Sequence, residues 1–300
     1  MLKFLTIFIL SFSACADPIN LYSPTGDLVN LTRSDQSFNN LSALMAYDNT
    51  AISFTNNGGN LLWRTDMTDP DTTIKQLRYM NGCQDIEGAY KYGNGFLLAE
   101  ETNPAQVYVM PPPSETNVRK CSYAEETWVL NGFDDTVGFG LEGITVLQNG
   151  TVVVIKEAQP ARIASFVPVA GVTNYTPQDL FQLRADCSRL GDVTVKSDGN
   201  LLVICKTEKT VHEYQTDGTF IGMLAIPQFG QPEGIAQLGT EICIAGEPDE
   251  YQCFSATPPV YEECSAIGTV TADIVNNIVN GSVHVTCASV TGTLEVSGNL

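Results

Sequence analysis

The chain has 300 residues, 43% of them hydrophobic, with mean hydropathy near zero, so it can bury a substantial core. It carries 34 Asp and Glu against 15 Lys and Arg, a formal charge of −19. That balance excludes a nucleic-acid partner, whose phosphates demand clustered cations. It is compatible with export, solubility and the binding of divalent cations.

Met1 to Ala16 has one Lys, an apolar run from Phe4 to Leu10 and the small residues Ala14-Cys15-Ala16. This is the pattern of a secretory signal peptide cleaved after Ala16. Phe12-Ser13-Ala14-Cys15 also approaches a bacterial lipobox, in which Cys15 would carry the lipid, but Phe12 matches poorly there. No later stretch reaches the length of a membrane span. Eight cysteines remain after Cys15, an even number without any C-x-x-C pair, which reads as disulfides rather than zinc. Cys243 and Cys253 flank a short turn and could pair, as could Cys264 and Cys287. Asn30, Asn40, Asn149, Asn174 and Asn280 begin Asn-x-Ser/Thr sequons, usable only in a eukaryotic secretory pathway.

Gly26 to Thr32 is a short strand pattern, and Leu41-Ser42-Ala43-Leu44 then leads to Ala51-Ile52-Ser53-Phe54. Asp85-Ile86-Glu87-Gly88 runs through Gly93-Asn94-Gly95 into Leu97-Leu98-Ala99-Glu100-Glu101. Leu141-Glu142-Gly143-Ile144 runs through Asn149-Gly150 into Val154-Ile155-Lys156-Glu157. Leu190-Gly191-Asp192-Val193 leads through Asp198-Gly199 to Val203-Ile204-Cys205, with Lys206 where the others carry an acid. Pro232-Glu233-Gly234-Ile235 leads through Gly239 to Ala245-Gly246-Glu247-Pro248. The hairpins start 41 to 55 residues apart, the period of a β-propeller. Five copies predict an all-β, five-bladed propeller over residues 17–259, with the N-terminal strand closing the last blade. Residues 260–300, rich in Thr, Val, Ser and Asn, are expected to form an appended β segment or a linker.

If Asn149-Gly150 makes a two-residue turn, Glu142 faces Glu157, and the Gly93-Asn94 turn sets Glu87 opposite Glu100. In a propeller the first strand of each blade lines the central channel, so the repeated acids converge on one end of it. Glu87, Glu142 and Glu233, backed by Glu101, Glu157 and Glu247, are therefore expected to be metal ligands. Carboxylate oxygens without His or thiolate suit Ca²⁺, and Lys206 offers another way to neutralise part of the ring. A plainer alternative is that each Glu-Gly merely shapes a turn. No nucleophile elbow, zinc-protease motif or phosphate-binding glycine loop is present. His212 and His284, the only histidines, are expected at the surface and in the tail.

The order of these hairpins, above all Gln231-Pro232-Glu233-Gly234-Ile235-Ala236 with Glu247-Pro248, resembles the SdiA-regulated family of exported bacterial propellers over roughly Leu41 to Phe254. The resemblance implies five blades and a Ca²⁺ near the channel, with Glu87, Glu142 and Glu233 on the family's Glu-Gly positions, and it implies no particular activity. The cysteines, Gly191-Asp192 and the tail depart from that pattern. Two functions are open at this stage. One is a secreted or periplasmic monomeric scaffold binding an unknown small molecule or extracellular ligand. The other is a metal-dependent hydrolase of lactones, esters or phosphoesters, with no catalytic residue identified.

Overall fold

The computed structural model describes residues 17–30, 41–47, 50–55, 61–66, 74–79, 83, 85–112, 121–134 and 139–256. The expected signal peptide, the appended segment after 256, Cys264, Cys287 and His284 lie outside the described residues. A first compact unit ends at Ala256.

Strands β1 (Tyr22–Pro24) and β2 (Val29–Asn30) precede the first repeat. β3 (Leu41–Tyr47), β4 (Thr50–Thr55), β5 (Leu61–Asp66) and β6 (Ile74–Tyr79) form the first blade. β7 (Ile86–Tyr92), β8 (Gly95–Glu100), β9 (Gln106–Met110) and β10 (Glu126–Leu130) form the second. β11 (Leu141–Val146), β12 (Val152–Lys156), β13 (Arg162–Phe166) and β15 (Gln178–Phe181) form the third, while the intervening β14 (Asn174–Tyr175) pairs parallel to β10 of the second. β16 (Leu190–Val195), β17 (Leu201–Cys205), β18 (Thr210–Tyr214) and β19 (Phe220–Ala225) form the fourth. β20 (Gln231–Leu238), β21 (Glu241–Glu247) and β22 (Glu250–Ala256) make a last sheet that is completed from the N-terminus by β1 and β2. The fold is an all-β propeller. Where five blades were expected, four are built from their own stretch of chain among the described residues, and the last sheet is composite.

The β-branched runs behave as expected for strands buried on both faces. Val152 to Ile155 and Leu201 to Cys205 are fully buried. Apolar clusters fill the space between neighbouring sheets. Trp128, for instance, sits edge-on to Tyr92, Phe166 and Tyr175 at 5.8–6.1 Å, joining the second and third blades. The first strands β3, β7, β11, β16 and β20 pack against one another in that order, and β20 returns to β3.

The N-terminal strand does close the last sheet, though mainly through a segment earlier than expected. Tyr22–Pro24 pairs with Phe254–Ala256, and Val29–Asn30 adds a shorter pairing to Glu250 and Tyr251. The reason is Tyr22, whose ring is buried beside Ile242 and Phe254. Just before it, the chain is tied to the fourth blade by a buried ion pair. Lys196 Nζ lies 2.7 Å from Glu213 Oε1 and donates to Asp17 O at 2.8 Å, while Ile19 N–H donates to Glu213 Oε2 at 2.6 Å.

Six cysteines form three disulfides, Cys83–Cys121, Cys187–Cys205 and Cys243–Cys253. Each of the last two lies within one blade or sheet, and each bond is expected to stabilise by about 2–4 kcal/mol. Alkylation of the unfolded, unreduced protein should leave all six unlabelled. Label on any of them, found by peptide mass, would contradict the pairing.

His212 is not at the surface. It is buried on β18 against Phe220, with Nδ1 3.1 Å from the Tyr214 hydroxyl, and burial pushes its pKa down. Alternation along β18 turns it inward, and the aromatic neighbours that receive it come from β19 and from two residues further along β18.

Candidate metal centre

Each first strand carries a bulge or irregularity at its start, and in β7, β11 and β20 the repeated acid is the extra residue. In β7 the pairing steps from Ile86↔Glu100 to Gly88↔Ala99, which skips Glu87. In β11 it steps from Leu141↔Lys156 to Gly143↔Ile155, skipping Glu142, and in β20 from Pro232↔Gly246 to Gly234↔Ala245, skipping Glu233. The expected facing pairs Glu87–Glu100 and Glu142–Glu157 therefore do not form. Asn149-Gly150 contributes to this, because Leu147 N–H donates to Thr151 O and only Gly150, at φ +85°, is left-handed. The loop thus has three residues rather than two, which is the next commonest hairpin. A bulged residue has no partner across the ladder, so its side chain is re-aimed towards the channel.

The glycine after each Glu has its own reason. A Cβ on Gly88 would sit 2.8 Å from Gly143 Cα, one on Gly143 would sit 2.9 Å from Asp192 Cα, and one on Gly234 would sit 2.5 Å from Leu44 N. The first strands approach too closely there for any side chain.

The acids converge although they do not face. Asp85, Glu87 and Glu101 each place a carboxylate oxygen within 4.8 Å of the others, and so do Glu101, Glu142 and Glu157. Glu101 also accepts a hydrogen bond from the Gly140 N–H of the next blade. Glu87, Glu142, Glu157 and Glu233 are buried, and Glu247 is less so. Glu100 turns away from this group, its Oε2 accepting the Tyr108 hydroxyl at 2.7 Å.

The fourth blade inverts the charge. Backbone bonds from Glu101 N–H to Asp85 O, from Glu157 N–H to Gly140 O and from Lys206 N–H to Arg189 O place these pairs at equivalent points, as does the pairing of Glu247 with Gln231. Two cations thus stand where the second blade has two acids. Gly191 replaces the bulged Glu, and it must be small because a Cβ would lie 2.9 Å from the backbone oxygen of Pro232 and 3.0 Å from Ile204 Cγ2 and Lys206 Cγ. Asp192 then serves the backbone, accepting Val193 N–H at 2.7 Å and Ile235 N–H at 3.1 Å.

Lys206 Nζ lies 2.5 Å from Glu142, 2.6 Å from Glu233 and 3.2 Å from Glu157. Arg189 pairs with Glu157, and Gln231 donates to Glu233. Burial opposes the charge on Lys206, but Glu142, Glu233 and Glu157 more than offset it and raise its pKa above the ordinary value. Burial pushes Glu142 well above the usual carboxylate range despite Lys206, with Glu87, Glu233 and Glu157 adding to the rise. Glu233 is raised to about 7 by burial, again against the pull of Lys206. Glu247 is also raised by burial.

An acid whose folded pKa exceeds its unfolded one favours folding while protonated. That contribution is present below about pH 4.5 and is lost as the pH rises towards 7. In chelator, the melting temperature should therefore fall between pH 5 and pH 7.5, and Glu233→Gln should flatten the fall. Equal slopes in the two proteins would contradict this.

Of the six acids singled out from the sequence, Glu101, Glu142 and Glu157 share one cluster, and Glu87 joins through Glu101. Glu233 lies on the ammonium side, and Glu247 interacts with Lys206 and Glu233. Asp85, Arg189 and Gln231 were missed. Each stands two residues before the bulge, just before or at the start of a first strand. Asp85 and Gln231 lie inside the hairpin repeats without a role assigned to them, and Arg189 lies just outside its own.

Solved structures similar in fold include a gluconolactonase from Xanthomonas campestris (13% identity, 81% of this chain and 96% of that one, TM-score 0.49). They also include the calcium-binding protein regucalcin from Agrobacterium tumefaciens (10%, 76% and 92%, 0.46) and a PQQ-bound aldose sugar dehydrogenase from Streptomyces coelicolor (8%, 80% and 99%, 0.49). Comparison with curated proteins gives no match. The SdiA-regulated family model matches residues 29–255. With its hairpin series and bulged Glu-Gly positions inside that span, the chain belongs to the SdiA-regulated family.

Proposed function

We propose that the chain is an exported, calcium-binding β-propeller that acts as a ligand-binding scaffold, with the composite sheet completing the ring as its fifth blade. One observation carries the reading. Oxygens of Asp85, Glu87 and Glu101 lie within 4.8 Å of one another, as do those of Glu101, Glu142 and Glu157, with Glu87, Glu142 and Glu157 buried and Asp85 and Glu101 half-buried. Oxygens on opposite sides of one Ca²⁺, each 2.3–2.6 Å from it, stand about that far apart. The donors are hard carboxylates, with no His or thiolate among them, so the set fits this ion and the residues that would hold it are Asp85, Glu87, Glu101, Glu142 and Glu157. When bound, the ion supplies positive charge where burial otherwise forces acids to hold protons.

In this reading Glu233 and Glu247, also expected among the ligands, keep to the Lys206 side. The other end of the first strands offers a place for a ligand. A cavity of about 230 Å³ is lined there by Met45, Tyr90, Lys91, Thr194 and Gln237. The alternative reading, a metal-dependent hydrolase, would not draw on His212, which is packed inside the fourth blade. Export accords with the three disulfides, and among the described residues no helix is long and apolar enough to cross a membrane. In this reading the protein works as a monomer on a small molecule or an extracellular ligand.

Thermal unfolding tests the calcium reading. A ligand that binds only the folded state stabilises it by about 2.7 kcal/mol at a hundred times its Kd. Calcium should therefore raise the melting temperature by several degrees over chelator. Glu87→Gln should shrink the rise. Glu208→Gln, which holds Ser188 on the fourth blade, should leave it unchanged. Superimposable curves with calcium and chelator would refute the reading.

A further inference from the structure

We propose that Lys206 is a built-in cation of this centre: its ammonium fills one of two cation positions among the carboxylates and restricts the channel to a single divalent ion at the other. The ion at the second position rests on the calcium reading above, whereas the placement of Lys206 stands on its own geometry.

The ammonium hydrogen-bonds to Glu142 at 2.5 Å and forms ion pairs with Glu233 at 2.6 Å and Glu157 at 3.2 Å, so three carboxylates surround it. These come from two separate sheets, so the ammonium joins the third blade to the last sheet from the fourth. It is enclosed, with the Lys206 side chain 7% exposed and the three carboxyl side chains 3–4% exposed. This is the environment of a bound ion rather than of a surface ion pair. Gly191 stands where β7, β11 and β20 carry a bulged Glu. A Cβ there would lie 2.9 Å from Pro232 O and 3.0 Å from Ile204 Cγ2 and Lys206 Cγ, so its lack of a side chain leaves room for the lysine stem among these neighbours. By hydrogen-bond position Lys206 stands where the second and third blades carry Glu101 and Glu157.

Glu142 and Glu157 belong to both positions. They contact Lys206 and share a cluster with Glu101. A tethered charge cannot diffuse away, so it holds these two acids in place for the mobile ion. It also withholds Glu233 from that ion. Without the ammonium, three buried carboxylates would be left facing one another, a set able to take a second divalent ion.

The test is calcium binding by the chelator-stripped mature protein, followed by calorimetry and by native mass spectrometry. The wild type should bind one ion. Lys206→Met should bind two, or bind the first at least tenfold more tightly. Lys206→Arg, which keeps the charge, should stay at one. If Lys206→Met unfolds in chelator, its ion count is taken by native mass spectrometry after refolding in calcium, so the comparison still stands. Lys206→Met with the same ion count and an affinity within about twofold of wild type would overturn the proposal. Wild type without calcium but Lys206→Met with one ion would refute the calcium reading and support the built-in cation. No ion in either protein would overturn both.

Discussion

Lys196→Met is expected to lower the melting temperature by on the order of 10 °C. Lys196 and Glu213 are both fully buried, and Glu213 also receives the Ile19 N–H. Removing one partner of a buried pair leaves an uncompensated charge and costs about 3–5 kcal/mol, and each kcal/mol lowers the melting temperature of a domain this size by about 2–4 °C. The same change releases Asp17 O, which Lys196 holds at 2.8 Å. The strap joining the fourth blade to the composite sheet should then open first. Amide exchange should quicken over residues 19–24 and at Phe254–Ala256, their partner strand. A melting temperature within 2 °C of wild type, with exchange unchanged there, would show that the pair does not anchor the strap.

Gly143→Ala should be nearly as damaging, by more than about 2 kcal/mol. The added Cβ would lie 2.5 Å from Asp192 Oδ1 and 2.9 Å from its Cα, and the neighbouring backbone cannot swing away as a flexible side chain could. Gly26→Ala is the control, because nothing lies within 4 Å of its Cβ position. It should stay within about 0.5 kcal/mol. Urea unfolding of the two variants beside wild type separates these outcomes. Equal midpoints for Gly143→Ala and wild type would show that the glycine of the Glu-Gly pair is not set by close strand approach.

The repeat was legible because each hairpin must bury a β-branched run on both faces and turn at a glycine. Those demands recur with every blade. The Glu-Gly pair was legible too, and its glycine proves to be the more strictly determined of the two. The bulge was hidden, because one extra residue in a strand leaves composition and alternation almost unchanged while moving Glu87 and Glu142 out of register with Glu100 and Glu157. The role of Lys206 could be glimpsed from its place in the repeat. That of Gly191 could not, because Pro232 O, Ile204 and the lysine stem, which crowd it, approach through space from other strands. His212 was misplaced for a similar reason: the aromatic side chains that enclose it come together only in the folded blade. The N-terminal clasp joins Asp17 to Lys196, a pairing across most of the chain that no local pattern announces.

Anomalous scattering from crystals grown with calcium tests the central claim most directly. The account predicts one strong peak, coordinated by carboxylate oxygens of Asp85, Glu87 and Glu101 and by Glu142 or Glu157, with the Lys206 ammonium still seated among Glu142, Glu157 and Glu233. A peak that displaces the ammonium, or no peak among these carboxylates at saturating calcium, would contradict it.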